Sequence, residues 1–97
     1  MTGPEILDEI WEIINERDRN PSEGSYTTKI LTHRKGLDKA LEKVGEESTE
    51  FIIAAKNPDK RLIAEEASDL IFHLMLALKA SKVEISSVWD VLSQRRH

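Results

Sequence analysis

Glu47 and Glu50 stand three positions apart in the stretch VGEESTEF, and Glu66 and Asp69 repeat that spacing in EEASDL. On a helix, residues three apart lie on the same side, one turn further along. Each acidic pair falls on the flank of an apolar stripe, with the same angular offset from it, so the two flanks have matching layouts. Two helices packed antiparallel on those stripes would bring four carboxylates to one pocket. Left alone, such a cluster is costly, because like charges at short range raise one another's pKa and oppose ionisation. A hard divalent cation removes the conflict, and Mg²⁺ takes oxygen ligands while binding substrate phosphates. The expected site therefore binds one or more Mg²⁺ ions through Glu47, Glu50, Glu66 and Asp69, in the way that facing helices of a bundle build metal sites from short-spaced acids. The competing reading is a solvated acidic face, common in a chain with 18 acidic residues. Two matched pairs argue against it more strongly than one would.

Basic and hydroxyl groups lie near this acid in sequence. The segment SYTTKILTHRKGLDKALEK carries Ser25, Tyr26, Thr27, Lys29, Lys39 and Lys43, and Lys43 is one helical turn from Glu47 on the same flank. Cation, lysine and hydroxyls together suit a polyphosphate ester. Glu46 and Glu65 point further from the core and read as solvated groups or as supports for the ligands. His73 reads first as a hydrogen-bonded buried histidine and only second as a ligand.

The elements that must hold these groups are helices. Ile6, Leu7, Ile10, Trp11, Ile13 and Ile14 recur at three- and four-residue spacing over residues 4–18. Asn20, Pro21 and Gly24 make residues 20–25 a loop, and TTKILTHRKG reads as a short helical turn ending near Gly36. A second long helix runs from Leu37 to about Lys56 on Ala40, Leu41, Val44, Phe51 and Ile52. Gly45 inside it costs about 1 kcal/mol relative to alanine, which suggests close packing or a ligand at that level. In KNPDK, Asn57 is suited to a left-handed stop, Pro58 cannot continue the helix and Asp59 can cap the next one. The third helix, residues 60–81, carries its main stripe on Leu62, Ile63, Ala67, Leu70, Ile71, Leu74, Met75 and Leu78, with Phe72 and Leu76 opposite. A helix apolar nearly all round is buried nearly all round, and a second subunit is the expected cover for Phe72 and Leu76. A terminal helix follows, with Ser86 or Ser87 as its cap and Val88, Trp89 and Leu92 facing in. The expected fold is all-α, an antiparallel helical hairpin at the core of a small bundle completed by dimerisation.

The totals agree with one small domain over residues 1–97. A chain of 97 residues is below the roughly 150–200 at which a second core is expected, and its own core is marginal enough to favour a homo-oligomer. A net charge of −4 argues against a nucleic-acid binder. No segment reaches the ~18 uninterrupted apolar residues of a membrane span, the N-terminus lacks a basic leader, and there is no cysteine for a disulfide or thiolate site. The expected location is the cytoplasm.

GSYTTKI, KGLDKALEKVGEESTEFIIAAKN and EEASDLIFHL, in this order and separation, resemble the phosphoribosyl-ATP pyrophosphohydrolases of histidine biosynthesis, a branch of the all-α nucleotide pyrophosphohydrolases. The likeness runs from IINERDRNP to the terminal helix. The superfamily's acidic pattern lands on Glu47, Glu50, Glu66 and Asp69, while SYT and KVGEE point to this branch. The resemblance implies Mg²⁺-dependent hydrolysis of phosphoribosyl-ATP between its α and β phosphates, giving phosphoribosyl-AMP and pyrophosphate, in a cytosolic homodimer. It implies metal binding by the four acids, with one of them or Glu46 activating the water, and substrate contacts from Ser25, Tyr26, Thr27, Lys29 and Lys43. Two other readings use the same residues. One is a house-cleaning pyrophosphohydrolase acting on dNTPs, and the other is a helical dimerisation module without chemistry.

Overall fold

The computed structural model describes residues 3–96, which form five helices and no strand. Helix α1, Glu5–Arg19, starts after Pro4 and carries acids in its first turn and arginines in its last, both favourable to the helix dipole. It buries Trp11 and Ile14. Helix α2, Tyr26–Leu31, is capped by Ser25, whose Oγ accepts from the Thr28 amide at 3.2 Å. Gly36, at φ +58°, turns the chain into helix α3, Leu37–Ala55. That backbone angle suits a residue without a Cβ.

The hairpin expected from KNPDK is present. Helix α4, Lys60–Ala80, begins where the Asp59 carboxylate accepts from the amides of Arg61 and Leu62, at 3.0 and 3.2 Å. It packs along α3 in the most extensive helix contact of the chain. The stop itself differs from expectation, because Asn57 is not left-handed; the non-glycine residue with positive φ is Lys82, at 61°, after α4. There the Val83 amide reaches back to the Leu78 carbonyl at 3.0 Å and closes the helix end. Helix α5, Ile85–Arg95, starts earlier than expected, with Glu84 at its cap position, so Ser86 and Ser87 lie inside the first turn. Its inward residue is Ile85, while Trp89 and Leu92 stay exposed.

The core gathers Trp11, Ile14, Ile30, Ala40, Met75, Leu76, Ala77 and Ile85. Leu76 is 0% exposed within the single chain, so α1 and α2, and not the expected second subunit, cover this face. The uncovered apolar side of α4 is Ile71 and Leu74 instead, continuous with exposed Leu41 on α3. Together with Val88 and Trp89 these residues line a groove of about 570 Å³. Ile52 and Ile53, near the end of α3, are exposed as well. Gly45 contradicts the expectation of close packing, since a Cβ there would meet nothing within 4 Å. No helix among the described residues is long and apolar enough to cross a membrane.

Candidate metal centre and phosphate site

Antiparallel packing of α3 on α4 sets the two acidic flanks face to face. Glu47, Glu66 and Asp69 each offer a carboxylate oxygen, and these oxygens all lie within 4.8 Å of one another. Glu47 is 8% exposed, Glu66 half-buried and Asp69 exposed, so the cluster opens to solvent on the Asp69 side. Glu50, the fourth predicted acid, lies outside this tight set but close enough to Glu47 and Glu66 for its charge to act on both.

Two carboxylate oxygens, Oε2 of Glu47 and Oε2 of Glu66, are buried without a hydrogen-bond partner. A buried acceptor left unpaired is expensive, and a carboxylate more so than a neutral group. Burial and then the neighbouring Glu50 push the Glu47 pKa up, and burial, Glu50 and Asp69 do the same for Glu66. Crowded, oxygen-only donors with lone pairs that nothing else satisfies fit a hard cation such as Mg²⁺. They are a poor fit for a soft metal, which would favour sulfur or imidazole.

Lys43 is the cation of the site. Its ammonium lies 2.7 Å from Glu46 and 4.0 Å from Glu47, at the edge of the cluster. Glu46 is thereby engaged in an ion pair on the exposed side of α3. Tyr26 reaches the same place from α2: its pKa is raised by burial first, with Lys43 opposing that shift and Glu47 and Glu46 adding to it. The other predicted substrate residues are placed differently. Ser25 spends its oxygen on the α2 cap, Thr27 is buried, and Lys29 is exposed in the last turn of α2. Lys39 and Lys35 share Glu42, at 3.4 and 3.2 Å, on the outer face of α3.

His73 is buried, as its neighbours in LIFHLMLAL suggested. It is not among the residues of the metal-competent cluster. Its two ring nitrogens are both used, Nδ1 at 2.7 Å from the Asp69 carbonyl oxygen and Nε2 at 2.7 Å from the Tyr26 hydroxyl. The Tyr26 contact spans 47 positions of chain, and no local pattern announces it.

Comparison with known proteins extends this geometry. The sequence profile of the family described as Phosphoribosyl-ATP pyrophosphohydrolase matches residues 7–96. A protein of Methanosphaerula palustris named phosphoribosyl-ATP pyrophosphatase is 53% identical over 96 residues, covering 99% of this chain and 97% of the relative. One of the same name from Methanoculleus marisnigri is 55% identical over 91 residues, 94% of each chain. Another, from Methanocella arvoryzae, is 49% identical and covers 95% of this chain and 97% of its own length. Similarity of this extent takes in both acidic pairs, Lys43 and the α2 segment, and the chain belongs to the phosphoribosyl-ATP pyrophosphohydrolase family.

Proposed function

We propose that the protein hydrolyses phosphoribosyl-ATP between its α and β phosphates, releasing phosphoribosyl-AMP and pyrophosphate, the second step of histidine biosynthesis. The observation that carries this reading is the convergence of Glu47, Glu66 and Asp69 beside Lys43 in a chain of this family. Glu47, Glu50, Glu66 and Asp69 would hold Mg²⁺, which when bound supplies Lewis-acid charge at the phosphate oxygens. Lys43 adds a fixed positive charge at the edge of the cluster, where a phosphate can displace its pairing with Glu46. Burial and mutual repulsion raise the proton affinity of Glu47 and Glu66, so a carboxylate of this set left free by the cation is a fit acceptor for the attacking water's proton. Glu46, already paired with Lys43, is the weaker candidate for that role.

Substrate binding falls to Lys43 and Tyr26 beside the cluster and to Lys29 at the exposed end of α2. Ser25 and Thr27 act by shaping the segment. The protein works as a cytosolic homodimer, and the apolar groove lined by Leu41, Ile71, Leu74, Val88 and Trp89 supports a second copy as its cover.

The test is product analysis with phosphoribosyl-ATP beside a panel of dNTPs, with and without Mg²⁺. Mg²⁺-dependent pyrophosphate release from phosphoribosyl-ATP alone is expected. Preferential release from dNTPs would keep the acidic site and overturn the substrate, and turnover of none of them would leave a helical module without chemistry.

A further inference from the structure

Helices α1 and α4 enclose a cleft of about 540 Å³ that reaches the acidic cluster. Its walls include Ile6 and Ile10 from α1 and Ala64, Ala67 and Phe72 from α4, and the exposed Ser68 adds a hydroxyl. Asp69 belongs to both places: one of its carboxylate oxygens joins those of Glu47 and Glu66, and the residue also lines the cleft. The apolar groove between α4 and α5 contains none of these acids. Leu7, Ile71 and Met75 line both hollows, and Asp69 lies on the cleft side alone.

A polyphosphate held at the cluster fixes where the rest of its molecule goes. The nucleoside hangs from the α phosphate and stays there when the bond beyond that phosphate is cut. It must leave the cluster on the side that solvent reaches, which is the Asp69 side, and there it meets the cleft. We propose that the α1–α4 cleft is the nucleobase subsite: it receives the adenine ring of the substrate against Ile10, Ala67 and Phe72 while the phosphates are held at the acids. The lining suits a flat, mostly apolar ring with polar edges. Ala64 and Ala67 leave room along α4, and the Phe72 ring lies beside that of Tyr26, with centroids 6.4 Å apart and planes tilted by 34°. Aromatic faces of this kind stack bases readily. A polar hollow shares Ala64, Ser68 and Asp69 with the cleft and carries Arg61 and Glu65, so the wetter edge of the base and its ribose have polar neighbours. Apolar walls with a few polar groups are the usual make-up of a small-molecule site. Helix α1 thereby gains a role besides covering the core, and the 39% exposure of Ile6 marks the wall that a ligand would cover.

The inference rests on the proposed activity for the identity of the base and on the geometry of the cleft for its place. Methyl NMR of the full-length protein, labelled at alanine and isoleucine, reads the subsite without any turnover. AMP is expected to shift the signals of Ile6, Ile10, Ala64 and Ala67, whereas ribose 5-phosphate, which carries a phosphate without the base, is expected to leave them in place. No shift at millimolar AMP, an equal response to ribose 5-phosphate, or shifts confined to Ala77 and Ile85 in the α4–α5 groove would overturn the proposal. Cleft signals that move on dilution of the free protein but not with AMP would put a second copy there and overturn it as well. In kinetics, Ala64→Trp fills the cleft from an exposed position of α4. It is expected to raise KM for phosphoribosyl-ATP about tenfold, with inhibition by Mg²⁺ and pyrophosphate unchanged because that ligand has no base. A parent-like KM in Ala64→Trp would refute the subsite. Absence of turnover in the parent, or turnover of dNTPs alone, would instead strike the proposed reaction, and the AMP shifts would still decide the cleft.

Discussion

Glu47 carries a buried carboxylate oxygen with no partner, directly across from Glu66 and Asp69. Its folded pKa, like that of Glu66, is raised above the ordinary 4.5 by burial and by neighbouring acids. Linkage fixes the sign of the consequence. The stability these carboxyls contribute is full below their unfolded pKa and is lost as pH rises through the elevated folded values. At neutral pH the metal-free cluster is therefore a cost. Glu47→Gln is expected to raise the metal-free melting temperature at pH 7 by roughly 4–8 °C, the response of a domain this size to about 1 kcal/mol of relieved repulsion. The same variant should lose turnover by at least about a hundredfold and gain no stability from added Mg²⁺, which stabilises only a state that binds it. A lower melting temperature with full activity would remove Glu47 from the centre. Lys43→Ala is expected to raise KM for phosphoribosyl-ATP more than it lowers the melting temperature, and steady-state kinetics beside a thermal melt compares the two. Equal KM values for variant and parent would contradict the assignment of Lys43 to phosphate.

At the scale of elements, the α3–α4 hairpin was legible because its signals are local. Acids three apart, an apolar stripe beside them, and the Asp59 cap are all read within a turn or two of chain. What the sequence hid depends on contacts between distant segments. The Tyr26–His73 bond joins α2 to α4, and the sidedness of α4 was misread because nothing in its own pattern says that α1 and α2 wrap over Leu76. Thr27 illustrates the same limit: a hydroxyl beside Tyr26 in sequence points the other way once α2 is packed. Gly45 was misjudged for a related reason. A glycine in a helix suggests a close neighbour, yet its surroundings within the chain are open. Gly45→Ala is accordingly expected to stabilise the fold by about 1 kcal/mol, measured by urea unfolding. Destabilisation, or loss of the proposed dimer, would mean that a second copy or a ligand occupies the space beside it.

The molecule as a whole joins an open acidic cluster to an unpartnered apolar groove on one small bundle. The groove lies between α4 and α5, and its exposed residues Ile71 and Leu74 are one turn apart along α4. Leu74→Lys is expected to convert the proposed dimer to monomer in sedimentation while leaving the helical signal intact, whereas Leu76→Ala should cost about 2–5 kcal/mol of fold stability, as a fully buried leucine does. An unchanged sedimentation profile for Leu74→Lys would move the dimer contact elsewhere. The facing flanks of α3 and α4 are proposed to form one cation site for a polyphosphate substrate. The measurement that tests it most directly is anomalous diffraction from crystals soaked in Mn²⁺, a stand-in for Mg²⁺ with the same preference for oxygen ligands. A peak bounded by the carboxylates of Glu47, Glu66 and Asp69, with Glu50 at its edge, is the predicted result. An empty cluster, with Mn²⁺ bound at other acids or at none, would contradict it.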